Sequence, residues 1–344
     1  MTLRLEVRGL TVELPTAAGW VRPVNGVSFT LGEGEALGIV GESACGKTML
    51  ALALMGLEPP GARRTGEAWL SCRHSNGNGA SLAAAGAAQS RRENLLALSP
   101  REIRDLRGRE IAMIFQEPMT ALNPVMRVGQ QIGEAIRAHE SAPGRDEIQG
   151  RVVASLAHAA VPEPELRARQ YPHQLSGGLR QRVMIAMALA AGPGVLIADE
   201  PTTALDVTVQ QQILELLAAL RRELQLSLLF ITHDLGVVAQ VAERVAVMYA
   251  GRIVEEGPAL DVLRRPRHPY TEGLLRAAPG LERRRLASIP GAVPALEKLP
   301  PGCSFAPRCP RRVVECDAAM PELLPLAGAP GDRRVRCILA SERI

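Results

Sequence analysis

Residues 35–56 read EALGIVGESACGKTMLALALMG, and this stretch decides the fold. Glu35 to Val40 is nearly continuously apolar, as a strand buried on both faces should be, and Met49 to Gly56 is a helical run. Between them Gly41-Glu42-Ser43-Ala44-Cys45-Gly46-Lys47-Thr48 fits G-x-x-x-x-G-K-[ST]. Glycines in such a loop let the backbone wrap around phosphate oxygens, while its N–H groups and the helix N-terminus supply positive potential. Lys47 is then expected to neutralise the β and γ phosphates of a nucleotide and Thr48 to ligate Mg²⁺.

Composition sharpens the reading of Lys47. Of 40 basic residues only Lys47 and Lys298 are lysine. A glycine-rich turn with an incidental surface Lys does not explain why a chain this rich in Arg keeps Lys here. A rotatable ammonium fits between phosphates better than a planar guanidinium. Cys45 reads as a small filler pointing away from the phosphates. The chain has 344 residues, enough for two domains, and a formal charge of +4 with nine aromatic residues. That is too little charge and too few stacking rings to announce a nucleic-acid binder.

Working outward, residues 3–14 and, more briefly, Val27 to Leu31 alternate with period two, which predicts an antiparallel β layer. Further buried strands are expected at Ile111–Phe115, Val195–Ala198 and Ser227–Ile231. After Asp206, a helix should bury Ile213, Leu216, Leu217, Leu220 and Leu224. Buried strands alternating with amphipathic helices imply an α/β fold with a mostly parallel sheet core. Val183–Ala198 is apolar but interrupted at Gly192-Pro193-Gly194, so it reads as helix, turn and strand and not as a membrane span.

The expected domains are 1–257, with a helical subdomain at about 120–190 and a flexible insertion at about 72–92, and a proline- and cysteine-rich extension at 258–344. The first holds 25 basic and 27 acidic residues, the second 15 and 9, so the net charges are −2 and +6. The start MTLRLEVRGL lacks the features of a secretory signal, and the protein is read as cytosolic.

Val195 to Glu200 is an apolar strand ending in two carboxylates. Asp199 suits Mg²⁺, through water, and Glu200 suits a base for the attacking water. Acidic residues commonly end strands, and it is the phosphate loop that gives this pair weight. Ile231-Thr232-His233-Asp234 likewise ends the next strand and offers His233.

At Leu175-Ser176-Gly177-Gly178-Leu179-Arg180-Gln181-Arg182 the chain resembles the signature motif of ATP-binding-cassette (ABC) ATPases. The resemblance extends in order along nearly the whole chain: the phosphate loop, Gln116 in IFQEPMTALNP, the signature, VLIADEPTTALD and ITHD. The wording around Gln116, RHPYTEGLL at 267–275 and the terminal cysteines look like the ATP-binding subunits of oligopeptide and dipeptide importers.

That resemblance implies a P-loop nucleotide-binding domain of the ABC type that works as a head-to-tail pair with a second copy or a related subunit. ATP would lie between residues 41–48 of one chain and the signature of the other. Ser176, Gly177 and Gly178 would lie at the γ-phosphate in trans, and Gln116 at Mg²⁺ and the attacking water. Glu200 would act as catalytic base, His233 would hold the γ-phosphate, and Asp206 would organise the dimer interface. Further implied partners are two integral-membrane permeases and an extracytoplasmic substrate-binding protein, with the chain peripheral on the cytoplasmic face of the membrane.

Relatives of this type serve peptides, nickel or glutathione. A soluble ABC ATPase working on DNA or ribosomes, or a scaffold that binds nucleotide without turnover, are the other classes. Two departures stand out. Ala44 occupies a position usually held by Gly. The aromatic residue usual near Leu14 for stacking on adenine is absent, leaving Trp20 open between adenine contact and hydrophobic burial.

Cys303, Cys309, Cys316 and Cys337 are spaced C-x5-C-x6-C-x20-C, which in a cytosolic chain favours metal over disulfides. The C-x2-4-C knuckles common in zinc sites are absent. The family resemblance implies a [4Fe-4S] cluster as a structural staple. Zinc ranks second and four buried free thiols third.

Overall fold

Alternation in the first 32 residues produces two long strands, β1 (Leu3–Thr16) and β2 (Gly19–Gly32), in a computed structural model of the chain. The structure describes residues 2–17, 19–73, 91–117, 121–139, 144–203, 205–277, 289–326 and 332–340. Most of the expected insertion at 72–92 therefore lies outside the described residues. The chain continues through β3 (Ala36–Val40), α1 (Lys47–Met55), β4 (Arg63–Ser71), β5 (Arg92–Asn94), α2 (Pro100–Leu106) and β6 (Ile111–Ile114). Four helices follow: α3 (Val128–Arg137), α4 (Arg145–His158), α5 (Pro164–Ala168) and α6 (Gly177–Leu189). Then come β7 (Val195–Asp199), α7 (Val207–Leu224), β8 (Ser227–Thr232), α8 (Leu235–Val241), β9 (Arg244–Tyr249) and β10 (Arg252–Pro258). The last elements are α9 (Ala259–Arg264), α10 (Pro269–Ala277), β11 (Leu324–Pro325) and β12 (Arg334–Val335), with short 3-10 turns between α10 and β11.

Contacts divide the chain into two compact units, one of residues 1–6, 30–34 and 67–228, the other of residues 7–29, 35–66 and 229–344. In the first, β6 and β7 pair in parallel from Ile111↔Val195 to Ile114↔Ala198, with all these residues buried. The buried Glu110 anchors this pair. Its carboxylate accepts from Arg4 and from the Arg73 backbone N–H, and its carbonyl accepts from the N–H groups of Gly194 and Val195. Helices α3 to α6 pack on one another through Val128, Ile132, Ile136, Ile148, Val152 and Leu156. Helix α7 buries Ile213, Leu214, Leu217 and Leu220. Of the residues expected on that face, Leu216 is only half-buried and Leu224 is 37% exposed, while Leu214, which the period does not select, is 3% exposed. At 100° per residue Leu224 stays on the face of Ile213, Leu217 and Leu220, and it is exposed because it is the last residue of the helix.

In the second unit β3 pairs in parallel with β9, from Leu37↔Arg244 to Val40↔Val247. Strands β9 and β10 form an antiparallel hairpin through Ala250 and Gly251, both at positive φ, the backbone a tight two-residue turn requires. Strand β12 pairs antiparallel with β10 and with β11. The parallel pairing expected for the core is thus present around β3 and between β6 and β7, and an antiparallel edge is added to it. Arg333 and Glu255, both buried, form an ion pair at 2.6 Å beside β12.

Candidate functional site

The loop after β3 closes on itself around Lys47. Lys47 is 4% exposed, and its Nζ donates to the carbonyls of Gly41 at 2.8 Å and Glu42 at 3.0 Å. The two glycines are needed for space. A Cβ on Gly41 would collide with the Met248 carbonyl, and one on Gly46, at φ 103°, with the Pro23 carbonyl. Between them Ser43 and Ala44 are exposed, as is Thr48 in the first turn of α1. Ala44 stands at φ 63°, in the left-handed region where an L residue costs about 1–2 kcal/mol. Cys45 is 1% exposed and burial pushes its thiol pKa up, which is the environment of a filler and not of a reactive thiolate.

Glu42 has two partners from the C-terminal region. Its backbone N–H donates to Tyr270 Oη at 2.8 Å, and its carboxylate receives both terminal nitrogens of Arg308, at 2.7 and 3.0 Å. Elsewhere in the same unit, His233 is exposed just after β8, where Asp234 caps α8 by accepting from the Gly236 N–H at 2.8 Å. Trp20 lies on β2, 44% exposed, with the Arg63 guanidinium 3.9 Å above its ring.

In the other unit β7 delivers Asp199, 1% exposed, and then Glu200, 9% exposed. Glu200 has a φ of 46°, and such strain in a non-glycine residue is held only where neighbours enforce it. Thr203 does so. Its Oγ1 donates to Glu200 Oε2 at 2.9 Å and its N–H to the Glu200 carbonyl at 3.1 Å. Gln116, exposed after β6, donates Nε2 to the same carboxylate oxygen at 3.4 Å. The parallel register of β6 and β7 brings these residues together.

Ser176 is the N-cap of α6, accepting from the Leu179 N–H at 3.4 Å, and exposes the helix start with Gly177. Gly178 has a packing reason to lack a side chain, since a Cβ would lie 2.8 Å from Val209 Cγ1 on α7. Asp206 caps α7 by accepting from the Val209 N–H at 3.0 Å. A cap of this kind contributes about 1 kcal/mol, so Asp206 has a structural role whatever else it does.

Cys303, Cys309, Cys316 and Cys337 all line one pocket, with Phe305 and His268, around about 330 Å³ of empty space that includes open solvent. Burial raises the thiol pKa of Cys303, Cys309 and Cys337, and Cys316 raises all three further. Among the described residues no three His, Cys, Asp or Glu side chains converge as ligands of one metal ion do.

Sequence reasoning missed Thr203, Tyr270 and Arg308 as site-shaping residues. RHPYTEGLL carries only a family wording in the sequence, and nothing there ties position 308 to position 42.

Residues 24–203 match the family described as ABC transporter, and residues 254–316 match the oligopeptide/dipeptide transporter C-terminal region. The chain is 47% identical over 319 residues to the dipeptide transport ATP-binding protein DppD of Bacillus subtilis, covering 92% of this chain and 90% of that protein. It superposes with a TM-score of 0.61 on the ATP-binding cassette MJ0796, solved as a dimer in a post-hydrolysis state with ADP and Pi. That match has 25% identity and covers 74% of this chain and 98% of that one. A similar likeness, TM-score 0.59 at 25% identity over 77% and 92% of the chains, links it to cbiO1 of Clostridium perfringens, part of the complex cbiONQ.

Proposed function

The chain belongs to the ABC transporter family, and on that premise we propose that it is the ATP-hydrolysing subunit of a peptide importer. The observation that carries the hydrolytic reading is Glu200, a carboxylate at a strand end held by Thr203 and Gln116. A base that orients water needs that fixed aim. The likeness to a dipeptide transport subunit and the matched C-terminal region support the peptide class.

In this reading Glu200 takes the proton of the attacking water and Gln116 helps place that water. Residues 41–48 cradle the nucleotide phosphates, with Lys47 leaving the Gly41 and Glu42 carbonyls to meet them. His233 holds the γ-phosphate. Ser176, Gly177 and Gly178 offer the α6 N-terminus to the γ-phosphate of a partner's ATP, where backbone donors and the helix dipole suit an anion. Thr48, Gln116 and Asp199 are the residues that would hold Mg²⁺, which would supply positive charge to offset that of the phosphates. Asp206 adds the subunit contact to its cap.

The partners are a second ATPase subunit, two permeases and an extracytoplasmic binding protein. No helix among the described residues is long and apolar enough to cross a membrane, and the chain is proposed to sit peripherally on the cytoplasmic face. In this reading residues 1–257 form the ATPase domain and residues 258–344 the C-terminal domain.

The four cysteines are read as ligands of a [4Fe-4S] cluster. Bound there, the cluster would tie together loop segments that have little apolar core of their own. Anaerobic purification with equal iron and sulfide, four of each per chain, is expected. Zinc, or four thiols titrating freely, overturns it.

Turnover is tested with Glu200→Gln in the full chain, expected to bind MgATP and hydrolyse it at least a hundredfold more slowly. The importer reading is tested by co-purification. Recovery with integral-membrane permeases is expected, and recovery with nucleic acid or ribosomes refutes it.

A further inference from the structure

An acidic residue inside a loop that must bind a triphosphate is a physical problem. Glu42 is the second residue of that loop, and an unpaired carboxylate there would repel the phosphates it adjoins. Arg308, sixth residue of the Cys303–Cys309 segment, meets Glu42 with both guanidinium nitrogens at 2.7 and 3.0 Å. The Arg308 side chain is 4% exposed and that of Glu42 is 29% exposed, so the pair is shielded from bulk screening.

Arg308 is itself held on its other side. Nε donates to the Pro290 carbonyl at 3.0 Å and one terminal nitrogen to the Ile289 carbonyl at 3.3 Å. A planar fork with both faces of its hydrogen bonding assigned has little freedom to turn elsewhere. Three residues before it, Phe305 packs on Tyr249 and Tyr270 at ring distances of 5.2 and 5.4 Å. Tyr270, fully buried, accepts the Glu42 N–H. Both polar ends of Glu42 are therefore fixed by the C-terminal region, and its carboxylate is neutralised.

We propose that Arg308 is a positioning residue for nucleotide binding, which neutralises the Glu42 carboxylate and turns it from the phosphates, so that the C-terminal region braces the phosphate loop. This rests on the reading of residues 41–48 as the ATP phosphate loop.

The test is a double-mutant cycle on the full chain, with the Kd for MgATP measured by titration and folding followed by thermal melting. Arg308→Gln is expected to raise the Kd five- to twentyfold with the melting transition kept. Adding Glu42→Gln to it is expected to return the Kd to within about threefold of the starting value. A purely structural Arg308 predicts no such rescue, since removing the carboxylate cannot restore packing.

An unchanged Kd in Arg308→Gln, or a raised Kd that Glu42→Gln does not lower, overturns the proposal while leaving ATP binding intact. If Arg308→Gln does not fold, Arg308→Lys replaces it, keeping the charge and losing one of two contacts. Its Kd must then rise two- to fivefold and fall again with Glu42→Gln, and no rise overturns the proposal. An unsubstituted chain that binds no MgATP overturns this inference together with the reading beneath it.

Discussion

Gln116 and Glu200, 84 positions apart, meet at the ends of neighbouring parallel strands, the amide Nε2 donating to the carboxylate Oε2 at 3.4 Å. The shorter bond to the same oxygen comes from Thr203, at 2.9 Å, on the turn that carries Glu200 at positive φ. The carboxylate is thus aimed by one donor from its own turn and one that only the strand register brings to it.

The hydroxyl of Thr203 is thus expected to aim the base. Thr203→Val should lower kcat for ATP about tenfold, near the ~1.5 kcal/mol of a hydrogen bond to a charged group, with KM changed less than twofold. Steady-state phosphate release checks this. A rise in KM at constant kcat would assign Thr203 to binding instead.

Ala44 sits at φ 63° in an exposed loop position with no side-chain burial to lose. Ala44→Gly relieves about 1–2 kcal/mol of left-handed strain and gives back about 0.5–1 kcal/mol in backbone entropy. The expected net gain is about 0.5–1 kcal/mol, a rise in Tm of about 1–3 °C. Differential scanning calorimetry showing a lower Tm would refute the strain.

Gly178 and Val209 leave no space for a methyl group between α6 and α7. Gly178→Ala should destabilise by about 1–3 kcal/mol through overpacking, and Val209→Ala in the same chain should recover most of it. Denaturant melts of the two single variants and the double variant measure the coupling. Additive losses would mean that the helices do not meet there.

His268 is fully buried and its pKa is lowered to about 3, first by burial and then by the charge of Arg336. Its Nδ1 accepts the Tyr270 N–H at 3.1 Å, so the neutral ring is the form the fold holds. The unfolded chain, with a His pKa of about 6.5, binds a proton that the folded chain refuses. Stability from this group is complete above pH 6.5 and is lost as the pH falls towards 3, about 2 kcal/mol between pH 7 and pH 5. His268→Gln should flatten that part of the stability-against-pH curve, as urea melts at pH 7 and pH 5 would reveal. An unchanged slope would place the acid sensitivity elsewhere.

The strands flanking the two carboxylates and the phosphate loop were legible because each is a short apolar run ending in chemistry-bearing residues. The runs read at Glu35–Val40, Ile111–Phe115, Val195–Ala198 and Ser227–Ile231 became β3, β6, β7 and β8 within one residue at each end. The hairpin of β9 and β10 was not read at all. Its first strand is as apolar as the others, but its turn, Ala250-Gly251, lacks the Asn or Asp that signals a tight hairpin. Leu224 was read into the core because period alone does not show where a helix leaves its support.

Sequence by itself determined the ABC-type reading: a glycine-rich loop between strand and helix, Lys47 kept in an arginine-rich chain, and motifs in one fixed order. These are local patterns, and the backbone conformations they demand are local too. Tertiary structure alone decided that Glu42 answers to Arg308 and Tyr270, that Gln116 reaches Glu200, and that four scattered cysteines share one pocket. Such pairings arise when packing closes the chain on itself, burying charges and polar groups that must then find partners wherever the topology has put them.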